Sequence, residues 1–176
     1  MLKTILIVVV VLIAAILIYA ATKPDAFRIQ RSASIAAPPD KVFALINDFH
    51  TWASWSPWEK KDLAMKKTHS GPSQGKGAVL EWDGNKDVGT GRMEVLESTP
   101  PSKILIKLDF FKPFEVHNTA EFTLTPNASS TQITWAMYGS QPYMMKVMGL
   151  FCSMDKMVGK DFEDGLSSLK ALAEKP

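Results

Sequence analysis

The sequence predicts an α+β fold in which a curved antiparallel sheet of about seven strands wraps a long C-terminal helix. Three observations predict it: the middle of the chain alternates apolar and polar residues, turn residues separate these runs, and the C-terminal part returns to helical spacing. One large helix must then cover the apolar face of one curved sheet. The 176 residues, of which 46% are hydrophobic, suffice for one such domain and one additional N-terminal segment.

The N-terminal segment is a run of apolar residues, ILIVVVVLIAAILIYAA, from residue 5 to residue 21, with no charged residue, glycine or proline. As a helix it would be about 25 Å long, near the minimum needed to cross a bilayer. A secretory signal peptide is the alternative, and it requires small residues at positions −3 and −1 of the cleavage site. Cleavage after Ala20 places Ile18 at −3, and cleavage after Ala21 places Tyr19 there. The sequence therefore favours an uncleaved membrane anchor.

We accordingly expect residues 1–24 to form a single transmembrane anchor and residues 25–176 to form the folded domain, at the cell membrane. One lysine precedes the apolar run, whereas Lys23, Arg28 and Arg31 follow it. The positive-inside rule then favours a cytoplasmic position for the domain.

Composition excludes several classes of function. The formal net charge of +2 predicts no polyanion-binding surface, so we expect no nucleic-acid partner. The single cysteine, Cys152, excludes an intramolecular disulfide framework. His50, His69 and His117 lie in separate predicted elements without the spacing of a metal site. We expect neither a metal nor a cofactor.

The strands are predicted from alternation and from the turn residues between them. A first strand begins at Phe27, and a short helix and the tryptophan-rich segment from residue 52 to 58 follow it. The other predicted strands are residues 65–70, 78–82, 90–98, 103–111, 116–125 and 132–138. In the strand from residue 103, apolar residues alternate with Lys107 and Asp109, which is typical of a sheet with one solvated face.

The predicted closing helix extends from residue 143 to residue 174. Its apolar stripe consists of Val158, Phe162, Leu166 and Leu169. Gly149, Gly159 and Gly165 interrupt the pattern, and each costs up to about 1 kcal/mol relative to alanine inside a helix. We expect the helix to bend or break near one of them.

The segment after the first domain helix carries a resemblance to a known family. Its residues Trp52, Trp55, Ser56, Pro57 and Trp58 match the pattern W-x-x-W-S-P-W, and Gly71-Pro72 with Gly77 and the run from Gly89 to Met93 add to the match. The chain resembles the START-like helix-grip (SRPBCC) superfamily, in its polyketide cyclase/dehydrase group, over roughly residues 27–173. This resemblance implies a helix-grip fold with a deep apolar cavity between the sheet and the long helix. In that family the cavity often holds a lipid or a polyketide-like ligand.

The resemblance and the alternation together suggest which side chains would bind such a ligand. The candidates are Trp52, Trp55, Leu80, Trp82, Met93, Ile106, Leu108, Phe110, Asn118, Phe122, Trp135, Met137, Met148, Phe151 and Met154. Flexible methionines suit a wall that adapts to its ligand. Core packing of the tryptophans, and gap filling or bilayer contact by the methionines, are the alternatives.

Three functions remain open from the sequence. The first is a membrane-anchored domain that binds a small hydrophobic molecule or lipid without covalent chemistry, because no catalytic motif is visible and no catalytic residue is predicted. The second is an enzyme of the cyclase or dehydratase type, for which a cavity-facing cluster is needed. Its members would be Glu81, Arg92, Glu94, His117 and Asn118. The third is a partner-binding module whose core is filled by its own side chains.

Overall fold

The computed structural model describes residues 1–151 and 153–175 of the chain. Its helices are α1 (Leu2–Ala21), α2 (Pro39–Asn47), α3 (Tyr143–Gly149) and α4 (Met154–Ala173), with two 3₁₀ helices at Phe49–Ser54 and Pro57–Lys60. Its strands are β1 (Ala26–Ile35), β2 (Lys66–Ser70), β3 (Val79–Asp83), β4 (Thr90–Thr99), β5 (Lys103–Lys112), β6 (Val116–Asn127) and β7 (Ser130–Ser140). The strands form one antiparallel sheet in the order β1-β7-β6-β5-β4-β3-β2. The predicted α+β helix-grip fold is confirmed.

The sheet and α4 share the main core. The α4 side chains Phe162, Leu166 and Leu169 are buried against apolar side chains from one face of the sheet. Arg31 of β1, an edge strand, lies on the face that α4 covers and fixes the position of α4, because its guanidinium binds the carboxylates of Asp155 at 3.0 Å and Glu163 at 2.7 Å. Burial and these ion pairs together place α4 across β1.

The predicted closing helix is two helices. It breaks where the first of its three glycines stands: α3 ends at Gly149, and the Ser153 side chain accepts a hydrogen bond from the Lys156 N–H to start α4. The other two glycines lie inside α4 because they give room to neighbours. A Cβ at Gly165 would lie 2.7 Å from a ring carbon of Trp135.

The tryptophan-rich segment turns the chain from α2 back to the sheet. The Trp52 indole N–H donates to the carbonyl of Ile46 at 2.9 Å, and that of Trp55 donates to the carbonyl of Leu45 at 2.8 Å. Both tryptophans are buried, so the segment closes the core with satisfied indole groups.

The N-terminal helix α1 lies apart from this core. It has 20 residues, almost all of them apolar, and Ala20 is its only buried residue. At about 1.5 Å per residue it is roughly 30 Å long, which matches the hydrocarbon thickness of a bilayer. It packs against α3, where the Tyr143 hydroxyl donates to the carbonyl of Leu17 at 2.8 Å. Lys146 of α3 also binds the Asp25 carboxylate beyond α1.

The strand register separates two ends of the sheet. One end carries the start of β1, the end of β7, the β3–β4 and β5–β6 turns and the start of β2. We call it the α1 end, because α1 leads directly into β1. The opposite end carries the β2–β3, β4–β5 and β6–β7 turns, and the C-terminus of α4 reaches it through a hydrogen bond from the Ala36 N–H to Glu174.

Candidate functional site

A cavity of about 140 Å³ lies between the sheet and the N-terminal half of α4. The residues that line it come from five strands, from α4, from both 3₁₀ helices and from nearby loops. They are Trp52, Ser56, Trp58, Glu59, Met65, Leu80, Trp82, Val88, Met93, Leu108, Phe110, Ala120, Trp135, Met137, Val158, Asp161 and Phe162. The lining is mostly apolar, as in sites that bind small hydrophobic molecules.

Trp135 of β7 is the centre of the aromatic side chains around the cavity. Its ring stacks on Phe162 with centroids 4.2 Å apart and on Phe122 with centroids 4.9 Å apart. Trp58 approaches it edge-on at 5.5 Å. The indole Nε1 is buried and has no hydrogen-bond partner among the described residues. A buried donor without an acceptor costs roughly 1–3 kcal/mol, so an acceptor that reached this N–H would be stabilising.

Trp82 of β3 forms the side of the cavity near the α1 end. Its ring lies over Gly91, where a Cβ would come within 2.4 Å of two ring carbons. Its indole N–H donates to the carbonyl of Val88 at 3.1 Å, and its ring meets Phe110 edge-on at 5.6 Å. Glycine at position 91 therefore allows a large flat ring to lie against the sheet.

Two carboxylates lie at the edge of the cavity, and both are held in ion pairs. Glu59 binds Lys67 at 2.7 Å, and Asp161 binds Lys61 at 2.6 Å. These pairs connect the second 3₁₀ helix to β2 and the loop before β2 to α4. Because each carboxylate already has a lysine ammonium beside it, these ion pairs favour a structural role at the edge of the cavity.

The structure brings together part of the predicted set of ligand-binding residues. Those that line the cavity are Trp52, Leu80, Trp82, Met93, Leu108, Phe110, Trp135 and Met137. Trp55, Ile106 and Phe122 lie in the core behind it, each 0% exposed. Ligand contact stays a prediction for all of them.

The remaining members of the predicted set lie elsewhere. Met154 packs half-buried at the start of α4, Met148 is 53% exposed on α3, and Phe151 is 72% exposed just after α3. Their placement follows from where the expected break falls, because Met148 and Phe151 lie before α4 begins. Asn118 is buried on the cavity side of β6, where it is paired with Leu108.

Sequence reasoning missed about half of the lining. Val158 and Phe162 belong to the predicted apolar stripe of α4, so the same pattern could have assigned them to the cavity wall. Met65 and Val88 lie outside the regular strands and helices: Met65 stands just before β2, at the start of the predicted strand 65–70, and Val88 lies in the β3–β4 turn. Only the folded chain brings these loop residues to the cavity.

The charged cluster required for a cyclase does not form at the cavity. The outer face of the sheet, away from the cavity, carries Glu81, Arg92, Glu94 and His117. The first three alternate along their strands with residues that line the cavity, and His117 is paired across strands with Asp109, whose two chain neighbours line the cavity. Arg92 binds Glu94 at 2.8 Å there.

Asp109 is the most buried charged residue of this outer face, with its side chain 6% exposed. Burial opposes its ionised form, but hydrogen bonds with Lys107 at 2.8 Å and His117 at 2.7 Å outweigh this effect and hold the pKa of Asp109 below its usual value. The outer charges thus stabilise one another across strands.

Asn118 is the cluster member that faces inward. It lies opposite Gly139 of β7, where a Cβ would come within 2.3 Å of the Asn118 side-chain oxygen. This oxygen is buried and has no hydrogen-bond partner among the described residues. Asn118 does not line the cavity as it stands.

A second, more open recess of about 260 Å³ lies at the opposite end of the sheet, beside the β2–β3 turn. His50 and His69 stack there with ring centroids 4.1 Å apart, and the His50 ring binds Asp48 at 2.7 Å. Burial, followed by the charges of His50 and Lys67, lowers the pKa of His69. Within residues 1–151 and 153–175, no group of three or more metal-binding side chains is assembled.

Comparison with known proteins agrees with this architecture. The family model for polyketide cyclase / dehydrase and lipid transport proteins matches residues 26–174. No curated protein matches the chain.

Several solved structures share the fold. A protein from Chromobacterium violaceum is 17% identical, with a TM-score of 0.61, and the alignment covers 88% of this chain and 100% of that one. The di-domain ARO/CYC protein BexL from the BE-7585A biosynthetic pathway is 18% identical, with a TM-score of 0.62 and coverages of 90% and 54%. Major latex-like protein 151 from Panax ginseng is 12% identical, with a TM-score of 0.62 and coverages of 86% and 100%. At these identities the likeness shows the fold alone.

Proposed function

The chain belongs to the polyketide cyclase / dehydrase and lipid transport family, and from this premise and the apolar cavity we propose that it is a membrane-anchored protein that binds a small hydrophobic molecule. The ligand is a lipid or polyketide-like compound, and it lies between the sheet and α4. Residues 25–176 form the binding domain and residues 1–24 the anchor.

The observation that carries this proposal is the cavity wall around Trp135. The wall consists of aromatic rings, methionines and aliphatic side chains, and the buried indole N–H lacks an acceptor among the described residues. Apolar contact supplies affinity through removal of surface from water, and one unpartnered donor supplies orientation. These features favour a hydrophobic ligand that carries a hydrogen-bond acceptor such as a carbonyl.

The size of the cavity restricts what enters it without rearrangement. A cavity of about 140 Å³ is close to the roughly 150 Å³ of an engineered apolar cavity that binds benzene, and it is below the roughly 300 Å³ at which drug-sized sites begin. We therefore propose that a ring or the end of a chain occupies it. Met65, Met93 and Met137 are flexible thioethers on its wall, and their movement would admit a larger ligand.

Helix α1 supports the membrane part of the proposal. Its length of about 30 Å and its uninterrupted apolar surface fit a single crossing of a bilayer. Because Ala20 is its only buried residue, α1 contributes almost nothing to the core of the domain. A surface this apolar needs lipid rather than water around it.

Binding is favoured over catalysis by the charges around the cavity. Glu59 and Asp161 are neutralised by Lys67 and Lys61, and the charged side chains needed for a cyclase lie on the outer face of the sheet. A cyclase would place a titratable group beside the reacting atoms. The cavity wall supplies mainly shape and apolar contact.

Filling the cavity tests the proposal. The full chain is purified in detergent, and copurified small molecules are measured by native mass spectrometry together with the binding of acetophenone by calorimetry. Ala120→Leu adds side-chain volume at the cavity wall, so we expect the loss of copurified ligand and of acetophenone binding. Filling an empty volume should leave the melting temperature equal or higher.

Ala53→Leu is the matched control, because it makes the same change at an exposed position of the first 3₁₀ helix. It should keep both ligands. Equal binding by the two variants would overturn the assignment of the ligand to this cavity, as would a wild-type chain that takes up neither molecule.

A further inference from the structure

The exposed large apolar side chains of the domain are concentrated at the α1 end. Phe111 and Phe114 stand on and after the end of β5, Met144 and Met148 on α3, Phe151 after α3, and Leu63 before β2. Leu63, Phe114 and Phe151 are 93%, 68% and 72% exposed. We call these six residues the apolar rim. Among the described residues beyond α1, the other exposed large hydrophobic side chains are Tyr143 on α3, Met157 on α4 and Leu96 on β4.

Helix α3 begins at the depth of the last turn of α1. The Tyr143 hydroxyl donates to the carbonyl of Leu17, and Leu17 lies four residues, or about 6 Å, before the end of α1 at Ala21. Tyr19 lies at the same level, with the Lys23 ammonium 4.2 Å from its ring centroid. Tyrosine and lysine are favoured where a membrane helix leaves the hydrocarbon.

The connection between α1 and the sheet is too short to hold the domain away from the membrane. Residues 22–25 separate the end of α1 from the start of β1, and four extended residues span at most about 14 Å. The Gln141 N–H also donates to the carbonyl of Asp25 at 2.7 Å, which ties the connection to the end of β7. The α1 end of the sheet must therefore face the bilayer that contains α1.

We propose that the apolar rim inserts into the interface of this same bilayer, so that α3 and the β5–β6 turn lie among the lipid headgroups and upper acyl chains. The proposal rests on the proposed role of α1 as a transmembrane anchor. The bilayer is the occupant that the structure favours, because the rim continues from α1 and the short connection holds it there. Lys112, exposed between Phe111 and Phe114, suits anionic headgroups.

Docking of the rim would give the ligand a route from lipid. Met65, Val88 and Phe110 line the cavity and lie at or beside the turns of the α1 end. A hydrophobic molecule would then pass from the bilayer into the cavity with little exposure to water.

Site-directed fluorescence in nanodiscs tests this inference. The full chain, with Cys152→Ser to remove the native thiol, receives one cysteine at a time as Phe114→Cys, Phe151→Cys, Ser129→Cys or Val10→Cys. Each is labelled with an environment-sensitive fluorophore and placed in phosphatidylcholine–phosphatidylglycerol nanodiscs with or without nitroxide-labelled lipid. Labels at 114 and 151 should be strongly quenched by the nitroxide. Ser129 is exposed in the β6–β7 turn at the opposite end, so its label should not be quenched.

The label at position 10 separates the two proposals. Quenching at 10 without quenching at 114 and 151 would leave the anchor in place and overturn the docking of the rim, and a protein partner or a second copy of the chain would then be the candidate cover. An unquenched label at 10 would overturn the anchor and the docking together. Quenching at 10, 114 and 151 but not at 129 is the result that supports both.

Discussion

Trp135 shows what a single residue contributes to the site. Alternation in β7 predicted that its ring faces the core, and the ring does stack between Phe122 and Phe162. The sequence could not show that Trp52, Trp55 and Trp82 find backbone acceptors for their indole groups while Trp135 does not. Hydrogen-bond satisfaction depends on loops and register, which residue patterns do not encode directly.

The substitution Trp135→Phe isolates the contribution of the indole N–H. Acetophenone and ethylbenzene have similar shapes, but only acetophenone accepts a hydrogen bond. We expect the variant to bind acetophenone roughly two- to tenfold more weakly, because a typical net hydrogen bond contributes about 0.5–1.5 kcal/mol. Affinity for ethylbenzene should change much less, and calorimetry measures both. If both affinities fall equally, the N–H does not orient the ligand.

At the scale of elements, the strands were predictable and the closing helix only in part. Alternation and turn residues placed all seven strands to within a few residues, because most of the strands carry one apolar face that covers the core. The division of the last segment into α3 and α4 was expected only as a bend or break near a glycine. Helical periodicity continues through both helices, so the pattern could not show that α3 leaves the sheet and packs on α1.

Gly165 gives a prediction at this scale. Alanine normally favours a helix over glycine by about 1 kcal/mol, yet a Cβ at 165 would lie 2.7 Å from the Trp135 ring and 3.0 Å from Pro57. Both neighbours are buried and rigid, and overpacking of this kind costs about 1–3 kcal/mol. We expect Gly165→Ala to lower the free energy of unfolding by about 1 kcal/mol, measured by thermal unfolding in a fixed detergent.

Gly149→Ala is the control for this prediction. It makes the same change at the end of α3, where the nearest neighbouring atom to the new Cβ would be Gln141 Nε2 at 3.7 Å. The melting temperature should then stay the same or rise. A Gly165→Ala chain as stable as the Gly149→Ala chain would show that α4 moves away from Trp135 without cost.

The whole molecule is polarised along the strands. One end holds α1, α3, the apolar rim and the start of α4, and the other holds small and polar turns such as Gly71-Pro72-Ser73. The sequence predicted the anchor from its uninterrupted apolar run and the core from periodicity. It could not predict the rim, because Leu63, Phe114 and Phe151 lie far apart in the chain and come to one end only through strand register and the position of α3.

Removal of residues 1–24 tests this polarity. Since α1 contributes only Ala20 to the buried residues, residues 25–176 should fold cooperatively, as measured by circular dichroism during thermal unfolding. The truncated chain should still bind vesicles through the rim, and sedimentation with phosphatidylcholine–phosphatidylglycerol vesicles measures this. Combined Phe114→Ser and Phe151→Ser should weaken vesicle binding at least about tenfold, because burying a phenylalanine contributes roughly 1.5–3 kcal/mol.

Leu96→Ser provides the matched comparison for this experiment, because Leu96 is a 40% exposed apolar side chain on β4, away from the rim. Vesicle binding should not depend on it, since its side chain would remain in water when the α1 end meets the lipid. Equal losses from Leu96→Ser and from the rim substitutions would mean that the domain adheres through general hydrophobicity. A truncated chain that folds but does not bind vesicles would show instead that the domain approaches the bilayer only because α1 holds it there.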